Sequence, residues 1–208
     1  MKVLVIDDDR VYTEPVVWRL EHEGFEVVHC ISASEVLSGW FEVTDQTVES
    51  LRRDGVPASV LERLVHAPTE DDGGLGEPVR CVHVDAFRCK LERRLGEEEA
   101  SRYFESIRSR AHRDPLTPAP DVVILDLMMP REHYGKQESE NGRATGVALM
   151  RDIVERVPSA RFVVLTVRDE PECHAALRKR FGRSIVEIVQ KPALPSRVAE
   201  AVKNVFAV

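Results

Sequence analysis

The sequence predicts an α/β protein built on a five-stranded parallel sheet. Three observations carry this: apolar runs that stop at polar residues, helix-period segments between them, and Gly or Pro at the joints. VLVI ends at Asp7, VVIL at Asp126, VVL at Thr166 and VEIVQ at Lys191. Strands buried on both faces read as continuous apolar runs, and sheets of this kind bind ligands outside the carboxyl ends of their strands. The four polar residues are therefore expected to converge. Two acids, a hydroxyl and an ammonium, with Asp8 beside Asp7, can hold a divalent cation and a phosphoryl group.

Each element has its own signal. Lys2 to Ile6 reads as a buried strand, and Val11 to Glu23 sets Val16, Val17 and Leu20 on one helical face with Gly24 as its stop. Phe25 to Ile31 is the second strand and Asp121 to Leu125 the third. Thr145 to Val157 is helical, with Val147, Met150, Ile153 and Val154 at core spacing, and Pro158 separates it from the fourth strand, Arg161 to Val167. A helix from Pro171 to Phe181 stops at Gly182, Ser184 to Val189 is the fifth strand, and Ser196 caps a last helix through Val198, Val202 and Val205. Alternation of this type favours right-handed crossovers.

The stretch between the second and third strands is far longer than the roughly 10 to 15 residues a crossover needs. The reading is one domain over 1–208 that carries a mainly helical insertion over 41–119. Helix signals run from Thr44 to Asp54, stopped by Gly55, and onward from Pro57 through Val60, Leu61, Leu64 and Val65. After the turn-rich TEDDGGLGEP, PVRCVHVDAF is a candidate extra strand, Phe87 to His112 is helical with a break at Gly96, and DPLTPAP returns the chain to the sheet. The insertion holds 12 Lys or Arg against 16 Asp or Glu, which leaves no basic footprint.

Composition narrows the classes. A chain of 208 residues with 43% hydrophobic residues can bury one good core. A net charge of -7, mixed in sign along the chain, argues against direct nucleic-acid or anionic-membrane binding. The apolar run in MKVLVIDDD is too short for a signal peptide and no segment reaches the roughly 18 apolar residues of a membrane span, so a cytoplasmic location is expected. Cys30, Cys81, Cys89 and Cys173 lack CxxC spacing and read as reduced thiols; Cys81, His83 and Cys89 fit no usual metal spacing.

Five motifs occur in order: IDDD (Ile6 to Asp9), LDLMMP (Leu125 to Pro130), TGVALM (Thr145 to Met150), LT (Leu165, Thr166) and QKP (Gln190 to Pro192). Together they resemble the response-regulator receiver domain of two-component signalling, a CheY-like, flavodoxin-like phosphoacceptor module. The likeness covers about 120 residues. It implies a doubly wound sheet of order 2-1-3-4-5 with Asp126 as phosphoacceptor, since a carboxylate can attack phosphorus to form an acyl phosphate. It implies a Mg²⁺ site from Asp7, Asp8, Asp126 and the Met128 backbone carbonyl. Lys191 and Thr166 then contact phosphoryl oxygens, and the Lys191–Pro192 bond is expected to be cis. Asp9 reads as a helix cap in preference to a metal contact, and Gly146 as serving backbone geometry.

Departures from the family pattern are equally specific. Val167 stands where a small residue is usual in the family, Ile188 replaces the aromatic expected three residues before Lys191, and Met128 and Arg168 occupy positions that in the family tune dephosphorylation by water. The loop over 131–144 is extended and reads as a lid, a recognition loop or plain disorder. The expected role is a stand-alone receiver, since little chain follows the last helix. It takes its phosphoryl group from a histidine kinase or phosphotransfer protein and signals to an unidentified protein target, without multiple-turnover enzyme activity. A homodimer through about Pro171 to Val205 is a further candidate assembly. The alternative is a phosphorylation-independent interaction or oligomerisation module. A haloacid-dehalogenase-type phosphohydrolase is opposed by motif order, because Asp126 precedes both Thr166 and Lys191.

Overall fold

A computed structural model describes residues 1–65, 80–130, 134–135 and 144–206. Two compact units emerge, Met1–Val36 with Pro115–Val208, and Leu37–Asp114.

The first unit is a parallel sheet of β1 (Lys2–Ile6), β2 (Glu26–Cys30), β6 (Val122–Asp126), β7 (Phe162–Thr166) and β8 (Ile185–Gln190). Its order is β2-β1-β6-β7-β8, which counted along these five strands is the expected 2-1-3-4-5. Every pairing is parallel. Residues of β1, β6 and β7 are buried throughout, which explains why their sequences are uninterrupted apolar runs and not alternating ones. Val3 and Val5 join Val122, Ile124, Val163 and Leu165 in a core under α1 (Arg10–His22) and α9 (Pro195–Phe206), which contribute Val16, Leu20, Val198 and Val202. Leu4 and Ile6, of opposite parity, face the other side and are fully buried too.

Helix ends follow local chemistry. Asp9 caps α1 by accepting from the Tyr12 N–H, and Gly24 follows the helix at φ 86, a value that suits a residue without Cβ. In α8 (Pro171–Phe181) proline occupies the first position and Gly182 the end, as the sequence indicated. Ser196 does not cap α9. That helix starts at Pro195, and the Leu194 carbonyl accepts from the Arg197 and Val198 N–H groups, so Ser196 sits inside the first turn. Proline at the helix start outranked the serine, because its fixed φ suits the first turn and it has no N–H to satisfy. The Lys191–Pro192 bond is cis, as is Thr117–Pro118.

The second unit holds a three-stranded antiparallel sheet, order β4-β3-β5, from β3 (Trp40–Val43), β4 (Arg80–His83) and β5 (His112–Arg113). The helices are α3 (Asp45–Arg53), α4 (Ala58–Val65), α5 (Val84–Leu95) and α6 (Glu97–Ala111), and the division between units falls within α2 (Ala33–Ser38). Three strands appear where periodicity marks one, since β3 and β5 are four and two residues long, too short for a pattern. Phe41 on the central strand is fully buried and meets Phe87 and Phe104 edge-on at 5.9 and 5.6 Å. Leu51, Leu64, Leu91 and Ile107 complete this separate core. The Thr44 hydroxyl caps α3 by accepting from the Thr47 N–H at 3.1 Å. TEDDGGLGEP and most of the 131–144 loop lie outside the described residues.

Candidate functional site

Four strand ends of the first unit come together at the carboxyl edge of the sheet. Asp7 follows the last residue of β1, Asp126 ends β6, Thr166 ends β7 and Lys191 follows β8. Asp7 and Thr166 are fully buried, Asp126 nearly so, and Asp8 is exposed. One carboxylate oxygen from each of Asp7, Asp8 and Asp126 lies within 4.8 Å of the other two. Lys191 Nζ donates to Asp7 Oδ2 at 2.7 Å and to Asp126 Oδ2 at 2.8 Å, so one ammonium bridges the two buried acids.

The remaining oxygens are held by the chain itself. Asp7 Oδ1 accepts from the Asp9 N–H and Asp126 Oδ1 from the Met128 N–H, both at 3.0 Å. Thr166 Oγ1 accepts from the Arg168 N–H at 3.0 Å, while the Thr166 carbonyl accepts from the Lys191 N–H at 2.8 Å. These contacts join the β7 and β8 ends. His29 Nε2 lies 3.3 Å from the Asp7 carbonyl.

Burial governs the electrostatics. Desolvation raises the Asp7 carboxyl above its ordinary value even though the Lys191 hydrogen bond and charge oppose it. Asp8 is raised as well, by desolvation first and the charge of Asp126 among lesser causes. For Lys191, burial favours loss of the proton, but hydrogen bonds to Asp126 and Asp7 outweigh it and hold the ammonium above its usual range. A cluster of oxygen donors with costly negative charge suits a small hard cation.

Gly146 earns its place by contact. A Cβ there would sit 2.2 Å from the Asp126 carbonyl oxygen and 2.7 Å from Leu127 Cα, so α7 (Thr145–Arg156) approaches the end of β6 only because position 146 has no side chain. The Gly146 N–H donates to the Leu127 carbonyl at 3.1 Å. Asp9 caps α1 and is absent from the acid cluster. Val167 is 55% exposed directly after Thr166, and the Met128 side chain also faces solvent. Ile188 is half-buried on β8, paired with Val164. Arg168 turns its guanidinium to Glu170, with Nε 3.3 Å from Oε2.

Tyr12 is the site residue that strand-end reasoning misses. Its ring lies under Lys191, with Nζ 4.7 Å from the ring centroid. The available signal was its place in the first turn after the acid pair.

No family model matches the sequence, and no curated protein matches it. Solved structures do. The chain is similar to the non-phosphorylated HemR receiver domain from Leptospira biflexa, at 14% identity and a TM-score of 0.49, covering 100% of this chain and 94% of that one. It is similar to a response regulator receiver domain protein from Clostridium thermocellum, at 17% identity and a TM-score of 0.45, covering 99% and 94%. A third is response regulator DrrB, a Thermotoga maritima OmpR/PhoB homologue, at 16% identity and 0.45, covering 99% of this chain and 52% of DrrB, so this chain spans about half of that length. These structures are receiver domains and response regulators. Among the described residues no helix is long and apolar enough to cross a membrane.

Proposed function

We propose that this chain is a phosphoacceptor receiver that takes a phosphoryl group on Asp126 with Mg²⁺ bound and transmits that state through protein contacts. One observation carries the reading: three carboxylates lie within 4.8 Å of one another, and one ammonium joins the two buried acids. Asp7, Asp8 and Asp126 would hold Mg²⁺ with the Met128 carbonyl. When bound, the cation neutralises the carboxylates and the incoming phosphoryl group. Asp126 Oδ attacks phosphorus, the bond to the donor's leaving group breaks with its electron pair, and an acyl phosphate remains on Asp126. Lys191 exchanges its bond to Asp126 for one to a phosphoryl oxygen. Thr166, turned by the Arg168 N–H so that its own proton is free to donate, bonds another and draws in the loop after β7.

The donor in this reading is a histidine kinase or phosphotransfer protein, and the chain catalyses its own phosphorylation and hydrolysis without acting on further substrates. Val167 narrows the approach, Ile188 supplies no aromatic ring to move, and Met128 with Arg168 slows attack by water. The test is acetyl phosphate with Mg²⁺, read by intact mass. A Mg²⁺-dependent gain of one phosphoryl group, abolished in Asp126→Asn, is expected. Absence of the gain in the wild type, together with failure to bind beryllium fluoride, overturns the proposal. That outcome favours the second reading, a phosphorylation-independent module, for which exposed Val167 and the separate core of Leu37–Asp114 speak.

A further inference from the structure

We infer that Tyr12 is a positioning residue for Lys191, holding the ammonium at the site while its hydrogen-bond partners change. The inference rests on the receiver reading above and adds a residue to it. The Lys191 side chain is only 9% exposed. Two of its N–H groups are spent on Asp7 and Asp126, and the Tyr12 ring lies close on a further side. Tyr12 is itself fixed at both ends. Its N–H donates to Asp9 Oδ1 at 3.1 Å in the α1 cap, and its hydroxyl donates to the Ala193 carbonyl, two residues after Lys191, at 3.5 Å. The ring therefore ties the start of α1 to the segment that carries the lysine.

The physical distinction lies in directionality. The two carboxylate bonds are directional, and the one to Asp126 must break when a phosphoryl group arrives there. Attraction of a cation to a ring face requires only that the charge stay over the ring, so it survives a shift of the ammonium from carboxylate to phosphoryl oxygen. Desolvation strengthens it, and this ammonium is largely desolvated.

The test measures acetyl phosphate labelling in wild type, Tyr12→Leu, Tyr12→Phe and Lys191→Ala, and in the double variant of Tyr12→Leu with Lys191→Ala. Removing the ring should slow labelling roughly two- to thirty-fold. Tyr12→Phe, which keeps the ring face and loses the hydroxyl, should recover most of that loss. Without Lys191, the leucine substitution should add less than about twofold, because its effect passes through the ammonium. NMR reports whether the lysine stays over the ring as its partners change: Lys191 methylene protons should be shifted upfield to a similar extent in the free and beryllium-fluoride forms, and loss of the shift on beryllium fluoride binding would overturn the inference. Equal losses in the leucine variant with and without Lys191, or a phenylalanine variant as slow as leucine, would overturn the role of Tyr12 while wild-type labelling keeps the receiver reading intact. A wild type that does not label overturns both.

Discussion

Asp7 and Asp8 are held where ionisation is costly, and that fixes the sign of a pH effect. Both carboxyls are raised by desolvation above the ordinary 3.8. A raised folded-state value means that these groups favour the folded chain below the unfolded value and lose that contribution as pH rises through the folded one. The cation-free protein should therefore be penalised at neutral pH by the same charges that, on the proposed reading, hold Mg²⁺. Thermal unfolding with and without Mg²⁺ should show a gain of about 2.7 kcal/mol at a hundred times Kd near neutral pH. The gain should shrink as pH falls from the raised values towards 3.8, where protons replace the cation. A Mg²⁺ effect that is constant across this window would show that Asp7 and Asp8 do not bind it. The acids were legible in the sequence because each ends an apolar run. Tyr12 was not, since its relation to Lys191 spans 179 positions and exists only after α1 and the β8 end have met.

At the junction of α7 with β6, one missing methyl group sets how closely a helix packs. Gly146→Ala places a Cβ against backbone atoms of Asp126 and Leu127, which cannot rotate away as a flexible side chain would. A loss of about 1–3 kcal/mol is expected from urea unfolding. On the proposed receiver reading, labelling of Asp126 should also slow, because the backbone that must yield is that of Asp126 and Leu127. Unchanged stability would mean that α7 slides along the sheet freely. The regular elements of the sheet were readable because burial on both faces writes itself as unbroken apolar runs in β1, β6 and β7. The pair His112–Arg113 was unreadable for the opposite reason: two residues show no period, and only their pairing with Trp40 and Phe41 makes them a strand. Ser196 misled because a cap residue and a helix-start proline stood side by side, and the signals differed by one position.

The two compact units divide the stability as well as the chain. Phe41 is fully buried among Phe87, Phe104 and the helices of Leu37–Asp114, so Phe41→Ala should cost about 3–5 kcal/mol, enough to unfold a small unit. The acid cluster and Lys191 belong wholly to the other unit. Mg²⁺ binding followed by NMR should therefore survive in Phe41→Ala, and its loss would show that the first unit depends on the second to fold.

The mouth of the Leu37–Asp114 unit has a consequence of its own. Trp40 pairs with Arg113 and Phe41 with His112, and His112 Nε2 lies 2.8 Å from the Ser38 carbonyl. A Cβ at Gly39 would fall 2.2 Å from the Arg113 carbonyl oxygen, so the incoming and outgoing chains touch. A segment whose incoming and outgoing chains already lie side by side can be acquired, exchanged or lost between generations as a cassette, because its two ends enter and leave at one place. Such an exchange leaves every strand of the five-stranded parallel sheet on its own route.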